Sequence, residues 1–282
     1  MKLGYQTNTW GGVVGHPAGV TSVKDLYYLA YGSTEQAVRD ISKAGYAGIE
    51  LFDGNLMQYE DRPQIFENLL TEHNQKLVGV YTGANFIYRD ILEDEFHKIE
   101  KVAKLASAFQ AEHLVVGGGA VRASGILDSD YKALAESLNR VAELAAKYNL
   151  RPSYHPHLGT IVEKPEQLDR IMELTSIGLC PDTAHIEAGG GDPLATIKKY
   201  VNRIPYVHFK DYGSGSFLPL GEGNQNFRAM AAVLRDNHYS GWITVELDSY
   251  EDPLNGAVIS RNYLREQLNL NEYQTIPTGR GE

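Results

Sequence analysis

The chain alternates between short apolar segments, rich in β-branched residues, and longer segments with helical periodicity. The short segments are predicted strands at 2–9, 48–52, 77–81, 113–116, 151–157, 177–182, 206–210 and 242–247. In the segment 130–148, Leu134, Leu138 and Val141 recur at spacings of three and four, which predicts a helix with one buried face. Helices are also expected after Ser33, which forms a capping-box pattern with Gln36, and after Asp192, which precedes a proline.

Strands that alternate with helices in this way match a parallel (β/α)8 TIM barrel, which takes about 250 residues. A doubly wound open sheet shows a similar alternation. No glycine-rich phosphate loop follows an early strand, and we interpret the glycines at 117–119 as a tight turn. We therefore predict a single TIM barrel over residues 1–270 and a C-terminal tail over 271–282. Two long connections, 11–32 and 211–225, would lie on the C-terminal face, where barrel active sites form.

Charge and cysteine content narrow the class of protein. The 282 residues carry a formal net charge of −10, without a concentrated basic stretch. This argues against a nucleic-acid partner, because such proteins use Lys and Arg to neutralise phosphates. The single Cys180 cannot form an internal disulfide, and no apolar run is long enough to span a bilayer. We expect a cytoplasmic protein with no membrane partner.

Ionisable residues stand at the ends of five predicted strands. Taken singly, each has an ordinary explanation, such as a hydrogen-bonded histidine or an aspartate that caps a helix. Taken together, they would leave unpaired buried charge unless a cation or a substrate organised them. Mixed histidine and carboxylate ligation suits Mn²⁺, Co²⁺, Fe²⁺ or Zn²⁺ better than Ca²⁺. The residues are Glu50, Asp53, His155, His157, Asp182, His185, His208, Lys210, Glu246 and Asp248.

At these positions the sequence resembles the xylose-isomerase-like barrel superfamily of sugar isomerases and epimerases. The resemblance rests on Asp-Thr-Ala-His at 182–185, Val-His-Phe-Lys-Asp at 207–211 and Val-Glu-Leu at 245–247. Three further segments resemble inosose (2-keto-myo-inositol) dehydratases and their close relatives. They are His-Pro-His-Leu-Gly-Thr at 155–160, Ala-Gly-Gly-Gly-Asp-Pro at 188–193 and Pro-Leu-Gly-Glu-Gly at 219–223.

The resemblance implies a divalent metal held by side chains from strands five to eight. Asp182, His208 and Glu246 match three of the family's ligands. At the fourth position, where relatives often have Glu-Pro, this chain has His155-Pro156. His155 is the expected replacement, and His157 is the next candidate. Mn²⁺ is the first candidate metal, with Co²⁺, Zn²⁺, Fe²⁺ and Mg²⁺ as alternatives.

The implied chemistry is proton abstraction beside a ketone, with a metal that stabilises the enediolate. Glu246 or Glu50 is the candidate base. His185, His157 or Lys210 would contact the substrate and deliver the proton to a leaving hydroxyl. The alternative role of His185 is to support Asp182. The alternative role of Lys210 is a surface ion pair with Asp211.

The leading hypothesis is a metal-dependent lyase that removes water from 2-keto-myo-inositol, as inosose dehydratase does. One alternative is a ketose or keto-sugar isomerase or 3-epimerase, and another is cleavage of a 3-keto-glycoside by β-elimination. A DNA-repair endonuclease of the same superfamily would need more metal ligands and a basic groove, and the charge of −10 argues against it. A barrel that only binds a sugar is the non-catalytic alternative. The expected partners are a small keto-polyol or keto-sugar and further copies of the chain, in a dimer or a tetramer.

Overall fold

The structure is a computed structural model that describes residues 1–11, 22–24 and 27–270. Eight parallel strands form the central sheet, in the spatial order β8-β7-β6-β5-β4-β1-β12-β9. Their bounds are β1 Lys2–Gln6, β4 Gly48–Phe52, β5 Lys76–Ala84, β6 His113–Gly118, β7 Arg151–Tyr154, β8 Gly178–Leu179, β9 Tyr206–Phe209 and β12 Trp242–Val245. A separate antiparallel pair consists of β2 Ser22–Lys24 and β3 Tyr27–Leu29. The predicted tail at 271–282 and most of the connection at 11–32 lie outside the described residues.

A parallel bridge between Asp182 and His208 joins the two edge strands of the sheet. The backbone N–H of His208 donates to the carbonyl of Pro181 at 3.1 Å, just beyond the short strand β8. This contact brings the first and last strands of the spatial order together. The predicted TIM barrel is therefore confirmed.

Ten α-helices occupy the described part of the chain, mostly on the outside of the barrel. Their bounds are α1 Thr34–Lys43, α2 Asp53–Met57, α3 Pro63–Glu72, α4 Leu92–Ala108, α5 Asp128–Lys147, α6 Pro165–Leu174, α7 Thr183–Ala188, α8 Pro193–Tyr200, α9 Phe227–Asp236 and α10 Pro253–Leu268. Single 3₁₀ turns follow β1 and α8, at Thr7–Thr9 and Val201–Arg203. Within the described residues, no helix has both the length and the apolar character that crossing a lipid bilayer requires.

The predicted helix starts are present. Asp192 accepts hydrogen bonds from the N–H groups of Leu194 and Ala195 and caps α8. Ser33 Oγ accepts from the N–H of Gln36 at 3.1 Å and caps α1. The side chain of Gln36 does not complete the reciprocal capping box, because its Oε1 accepts from Arg39 instead.

Alternation along the strands separates an outer apolar core from a mixed barrel interior. Val207 and Phe209 belong to the large cluster between strands and helices, whereas Tyr206 belongs to a smaller interior cluster with Val78, Val115 and Trp242. Successive side chains of a strand point to opposite faces. His208 therefore points inward with Tyr206, and the same rule directs polar residues of other strands toward the barrel axis.

The long connection after β9 folds into an ordered antiparallel hairpin, β10 Asp211–Gly213 and β11 Ser216–Leu218. The buried carboxylate of Asp211 accepts hydrogen bonds from the backbone N–H groups of Tyr212, Gly221 and Gly223. A Cβ added at Gly223 would lie 2.3 Å from Asp211 Oδ1, so this close approach requires glycine. Asp211 thus organises the loop that continues from the barrel mouth.

Packing of α5 onto the barrel generates a stability prediction. Leu138 is fully buried in the outer core, whereas Glu136, two residues earlier, is exposed. Leu138→Ala should lower the free energy of unfolding by about 2–5 kcal/mol, because it removes buried methyl groups and leaves a cavity. Glu136→Ala is the control and should change it by less than about 0.5 kcal/mol. Urea denaturation followed by circular dichroism measures both, and equal values for the two variants would contradict the packing described.

Candidate metal and catalytic site

Four side chains from neighbouring strands converge at the C-terminal end of the barrel. His155, Asp182, His208 and Glu246 each offer one ligand atom, and these atoms all lie within 4.8 Å of one another. His155 and Glu246 follow β7 and β12 directly, and their N–H groups still donate to the neighbouring strands, at Val116 and Phe209. The strand geometry therefore continues to these residues and directs them inward. We call these four residues the ligand cluster.

Distances within the ligand cluster are short for atoms that do not hydrogen-bond. His208 Nδ1 lies 2.7 Å from Glu246 Oε2, and His155 Nε2 lies 3.5 Å from Asp182 Oδ2 and 3.9 Å from Glu246 Oε2. His155 Nε2, Asp182 Oδ2 and His208 Nδ1 are buried, and none of them has a hydrogen-bond partner in the described part of the chain. Buried polar atoms are nearly always paired, because an unpaired one costs about 1–3 kcal/mol. Two imidazole nitrogens and two carboxylate oxygens aimed at one point fit a divalent cation of the Mn²⁺, Fe²⁺, Co²⁺ or Zn²⁺ type.

Positive charge already surrounds the carboxylates of the ligand cluster. Burial lowers the pKa of His208, but Glu50 and Glu246 outweigh this effect and raise it to about 10. Burial raises the pKa of Glu246, but Lys210 and His208 outweigh it and hold the pKa well below its usual range. Glu246 is therefore ionised.

Lys210 is fully buried beside the ligand cluster, with three polar partners. Its Nζ lies 2.6 Å from Asp248 Oδ1, 3.0 Å from Glu246 Oε1 and 3.3 Å from His185 Nε2. Burial lowers the pKa of Lys210, but Asp248 and Glu246 together raise it above its usual value, so the amine is an ammonium. The alternative of a surface ion pair with Asp211 is wrong, because the two neighbouring side chains point to opposite faces and Asp211 binds loop amides.

His157 and His185 form a pair of tilted rings next to Lys210, with ring centroids 3.8 Å apart. His157 Nδ1 lies 2.7 Å from the carbonyl of Leu158, so this nitrogen carries the proton. His185 Nε2 accepts from the Lys210 ammonium, which places the His185 proton on Nδ1. Burial and the neighbouring His155 lower the pKa of His157 to about 4, and burial lowers that of His185 too. Both rings are neutral at pH 7.

The backbone of His185 has a separate role. Its N–H donates to Asp182 Oδ1 at 2.8 Å, so Asp182 is the N-cap of α7 and its other oxygen, Oδ2, faces the ligand cluster. The predicted support of Asp182 by His185 thus runs through the main chain. The imidazole of His185 instead contacts both Lys210 and Phe217, whose ring centroid is 5.1 Å away.

Glu50 lies behind His208 and away from the centre of the ligand cluster. Its Oε2 is 2.9 Å from His208 Nε2, whereas Glu246 faces the opposite nitrogen of the same ring. Glu50 is fully buried, and the imidazole separates it from the position between the four ligands. This placement does not favour Glu50 as the base that would contact a substrate.

Asn8 was not among the predicted site residues, and Asp248 was named only as an ionisable residue at a strand end. Asn8, just beyond β1, donates to Glu246 and Asp248, each at 3.4 Å. Asp248 shares a strand face with Glu246. The sequence signal that could have identified Asn8 is its position among polar residues just beyond the first strand. Asp53 ends a strand as well, but it pairs with Lys98 at 3.0 Å and accepts from Thr82, outside the ligand cluster.

An open cavity of about 320 Å³ adjoins the ends of β5 and β6 and the loop after β7. Its wall is built largely from small residues and backbone, together with the ring of Tyr28. Tyr28 packs edge-on against Tyr81, whose ring in turn contacts His155. The lining residues are Tyr28, Gly83, Ala84, Asn85, Glu95, Lys98, Gly118, Gly119, Ala120, Gly159 and Thr160.

A family model described as a xylose isomerase-like TIM barrel matches residues 38–267. The chain belongs to this family. The resemblance stated from the strand-end motifs is therefore confirmed, and the ligand cluster of this xylose isomerase-like barrel lies at the C-terminal end of the strands, as the predicted fold implies.

Sequence and structure comparisons give three informative relatives. The inosose dehydratase of Clostridium perfringens is 28% identical over 273 residues, which cover 84% of this chain and 90% of the relative. The probable 3-DHS dehydratase AsbF of Bacillus anthracis has a TM-score of 0.75 at 17% identity and covers 95% of this chain and 100% of its own. The IolI protein with a bound zinc atom has a TM-score of 0.74 at 16% identity, covering 95% and 98%. At such identities, the last two show the shared fold.

The prediction that His155 binds the metal of this xylose isomerase-like barrel can be tested by substitution. His155→Phe should weaken the binding of Mn²⁺ or Zn²⁺ by about 100-fold or more, because removal of a ligand should cost at least as much as loss of its supporting contacts. His113→Phe is the matched control, since His113 is equally buried in the barrel interior and lies outside the ligand cluster. Competition with a chelating dye measures both dissociation constants. An unchanged constant for His155→Phe would remove His155 from the site.

Proposed function

We propose that this protein is a divalent-metal-dependent hydro-lyase that removes water from a keto-polyol, with 2-keto-myo-inositol as the leading substrate. The contact between Glu246 and Lys210 beside the ligand cluster carries the proposal, because it joins a carboxylate and an ammonium at the place where a ketone would bind. The similarity to inosose dehydratases over 84% of the chain supports this substrate class.

His155, Asp182, His208 and Glu246 would hold the metal. When bound, it supplies a Lewis acid that polarises the ketone and favours loss of the neighbouring proton. We propose Mn²⁺ as the native ion, with Co²⁺, Zn²⁺, Fe²⁺ and Mg²⁺ as alternatives. The orphaned ligand atoms of the cluster support a bound cation of this class.

Elimination of water needs a base at the carbon beside the ketone and an acid at the hydroxyl one carbon further. Glu246 takes the proton from carbon, and the electron pair forms the enediolate and then expels the hydroxyl. Lys210 donates a proton to that hydroxyl, which leaves as water. The abstracted proton then passes from Glu246 Oε1 to Lys210 Nζ across their contact of 3.0 Å, so both groups regain their initial charge.

The two neutral imidazoles bind and orient the polyol. His185 Nδ1 is buried, has no hydrogen-bond partner within residues 1–11, 22–24 and 27–270, and carries a proton, so it donates to a substrate hydroxyl. His157 presents the lone pair of Nε2, because its other nitrogen donates to Leu158. Phe217 covers Lys210 at 4.3 Å and keeps water from the ammonium. A ring with several hydroxyl groups matches this combination of donor and acceptor.

The proposal also covers location and assembly. Cys180 is the single cysteine of the chain and is buried with a free thiol, which suits a reducing compartment such as the cytoplasm. We further propose a homodimer or homotetramer, since soluble oligomers are most often symmetric assemblies of one chain.

The substrate class can be tested by proton NMR in deuterated water. Protein loaded with Mn²⁺ for the reaction should convert 2-keto-myo-inositol into a product that lacks one hydroxyl and absorbs in the ultraviolet. The product is read after removal of the metal. Panels of ketohexoses and 3-keto-glucosides are run in parallel. A new diastereomer without loss of water would assign the protein to the epimerases instead, and release of an aglycone would assign it to glycoside cleavage.

The base can be tested with an isosteric substitution. Glu246→Gln should lower kcat by about 10²–10⁴-fold, because the amide cannot accept the proton from carbon. Circular dichroism should remain that of the wild type. Glu222→Gln, in the exposed part of the loop after β11, is the control and should retain full activity. Normal turnover by Glu246→Gln would exclude Glu246 as the base.

A further inference from the structure

Glu50 is a fully buried carboxylate that contacts a proposed metal ligand and that the reaction itself does not use. It lies on β4 in the barrel interior, and its Oε2 is 2.9 Å from His208 Nε2. The other nitrogen of the ring, Nδ1, points to Glu246 Oε2 at 2.7 Å. Glu50 and the ligand cluster therefore occupy opposite sides of one imidazole.

This arrangement decides which nitrogen of His208 can bind a cation. A cation binds the neutral form of an imidazole, which carries one proton, and an ionised carboxylate can only accept a hydrogen bond. In the cation-bound form the proton therefore lies on Nε2, which donates to Glu50, and Nδ1 supplies the lone pair. His208 Nδ1 has no hydrogen-bond partner among the described residues, although it is buried.

The surroundings of Glu50 keep its carboxylate in place. A Cβ added at Gly79, on the neighbouring strand, would lie 3.2 Å from both Glu50 Oε2 and the Tyr206 hydroxyl, so glycine leaves room for the two groups. Tyr206 is itself held by a hydrogen bond from Thr244 and by stacking on His113, with ring centroids 4.5 Å apart. The packed barrel interior thus restricts the position of the Glu50 carboxylate.

We propose that Glu50 is a positioning residue that holds His208 with its proton on Nε2, so that His208 binds the divalent cation through Nδ1. This inference rests on the metal site of the proposed function and adds a role for a residue outside the ligand cluster. It also replaces the earlier expectation of Glu50 as a base. Partners that orient a metal-binding histidine commonly contribute about 10–100-fold to metal affinity.

Two substitutions separate the hydrogen bond from the charge of Glu50. Glu50→Leu removes both and should weaken Zn²⁺ binding by about 10–100-fold. Glu50→Gln keeps an oxygen that accepts from Nε2–H, and it should recover most of that loss. Asp53→Asn is the matched control, because Asp53 is equally buried at the end of the same strand but contacts Lys98. It should keep the Zn²⁺ affinity of the wild type even where it lowers the melting temperature.

The nitrogen that binds the cation can be read directly from the protein loaded with Zn²⁺ and labelled with ¹⁵N at histidine. Long-range ¹H–¹⁵N spectra of the wild type should show His208 protonated at Nε2 and bound to Zn²⁺ through Nδ1. Binding through Nε2 would overturn the proposal, and this result does not depend on whether Glu50→Leu folds. Equal Zn²⁺ affinity of a folded Glu50→Leu and the wild type would overturn it as well.

These outcomes are distinguishable from failure of the proposed function. If the wild type binds Zn²⁺ through Nδ1 but does not dehydrate any keto-polyol, the role of Glu50 stands and the substrate class is wrong. If dehydration is observed while His208 binds through Nε2, only the role of Glu50 is wrong. A wild type that binds no divalent cation would overturn both.

Discussion

Charge buried at the mouth of the barrel is the constraint on which the rest of this structure depends. Asp182 and Glu246 offer ligand atoms within 4.8 Å of each other, and Asp248 shares Lys210 with Glu246, all almost without solvent. Carboxylates in such a place ionise only beside positive partners. The protein supplies one partner as the Lys210 ammonium, between Glu246 and Asp248. The other partner would be a cation bound between the four ligands. There, His155 Nε2, Asp182 Oδ2 and His208 Nδ1 have no hydrogen-bond partner among the described residues.

The buried charge also gives the polar residues of the site different roles. One oxygen of Glu246 faces the ligand cluster and the other faces Lys210, so a single carboxylate links the cation to the proton donor. The His157 and His185 pair lies beside Lys210 and His155. Both rings stay neutral, because burial and neighbouring positive charge oppose their protonation. A polyol would therefore meet charged groups at its reacting carbons and neutral hydrogen-bonding groups elsewhere.

Family membership and chemistry rest on different observations. The fold is shared with a probable 3-DHS dehydratase and with a zinc-bound protein at 16–17% identity, and identities this low show the fold rather than the reaction. The substrate class rests on the 28% identity to inosose dehydratase together with the Glu246–Lys210 contact. The ligand cluster combines two imidazoles with two carboxylates, a donor set that would favour a metal that accepts nitrogen ligands.

Local patterning determined the strands, the capped helix starts and the inward direction of Asp182, His208, Lys210 and Glu246, because alternation along a strand depends only on backbone geometry. Tertiary structure alone decided the partners. Lys210 and Asp211 are neighbours in sequence yet face different surroundings, and Asp53 pairs with a lysine from α4. The position of Glu50 behind His208, and the contact of Asn8 with Glu246, depend on how strands are staggered around the barrel. Such contacts join residues far apart in the chain, and their distances arise from the closure of the whole sheet.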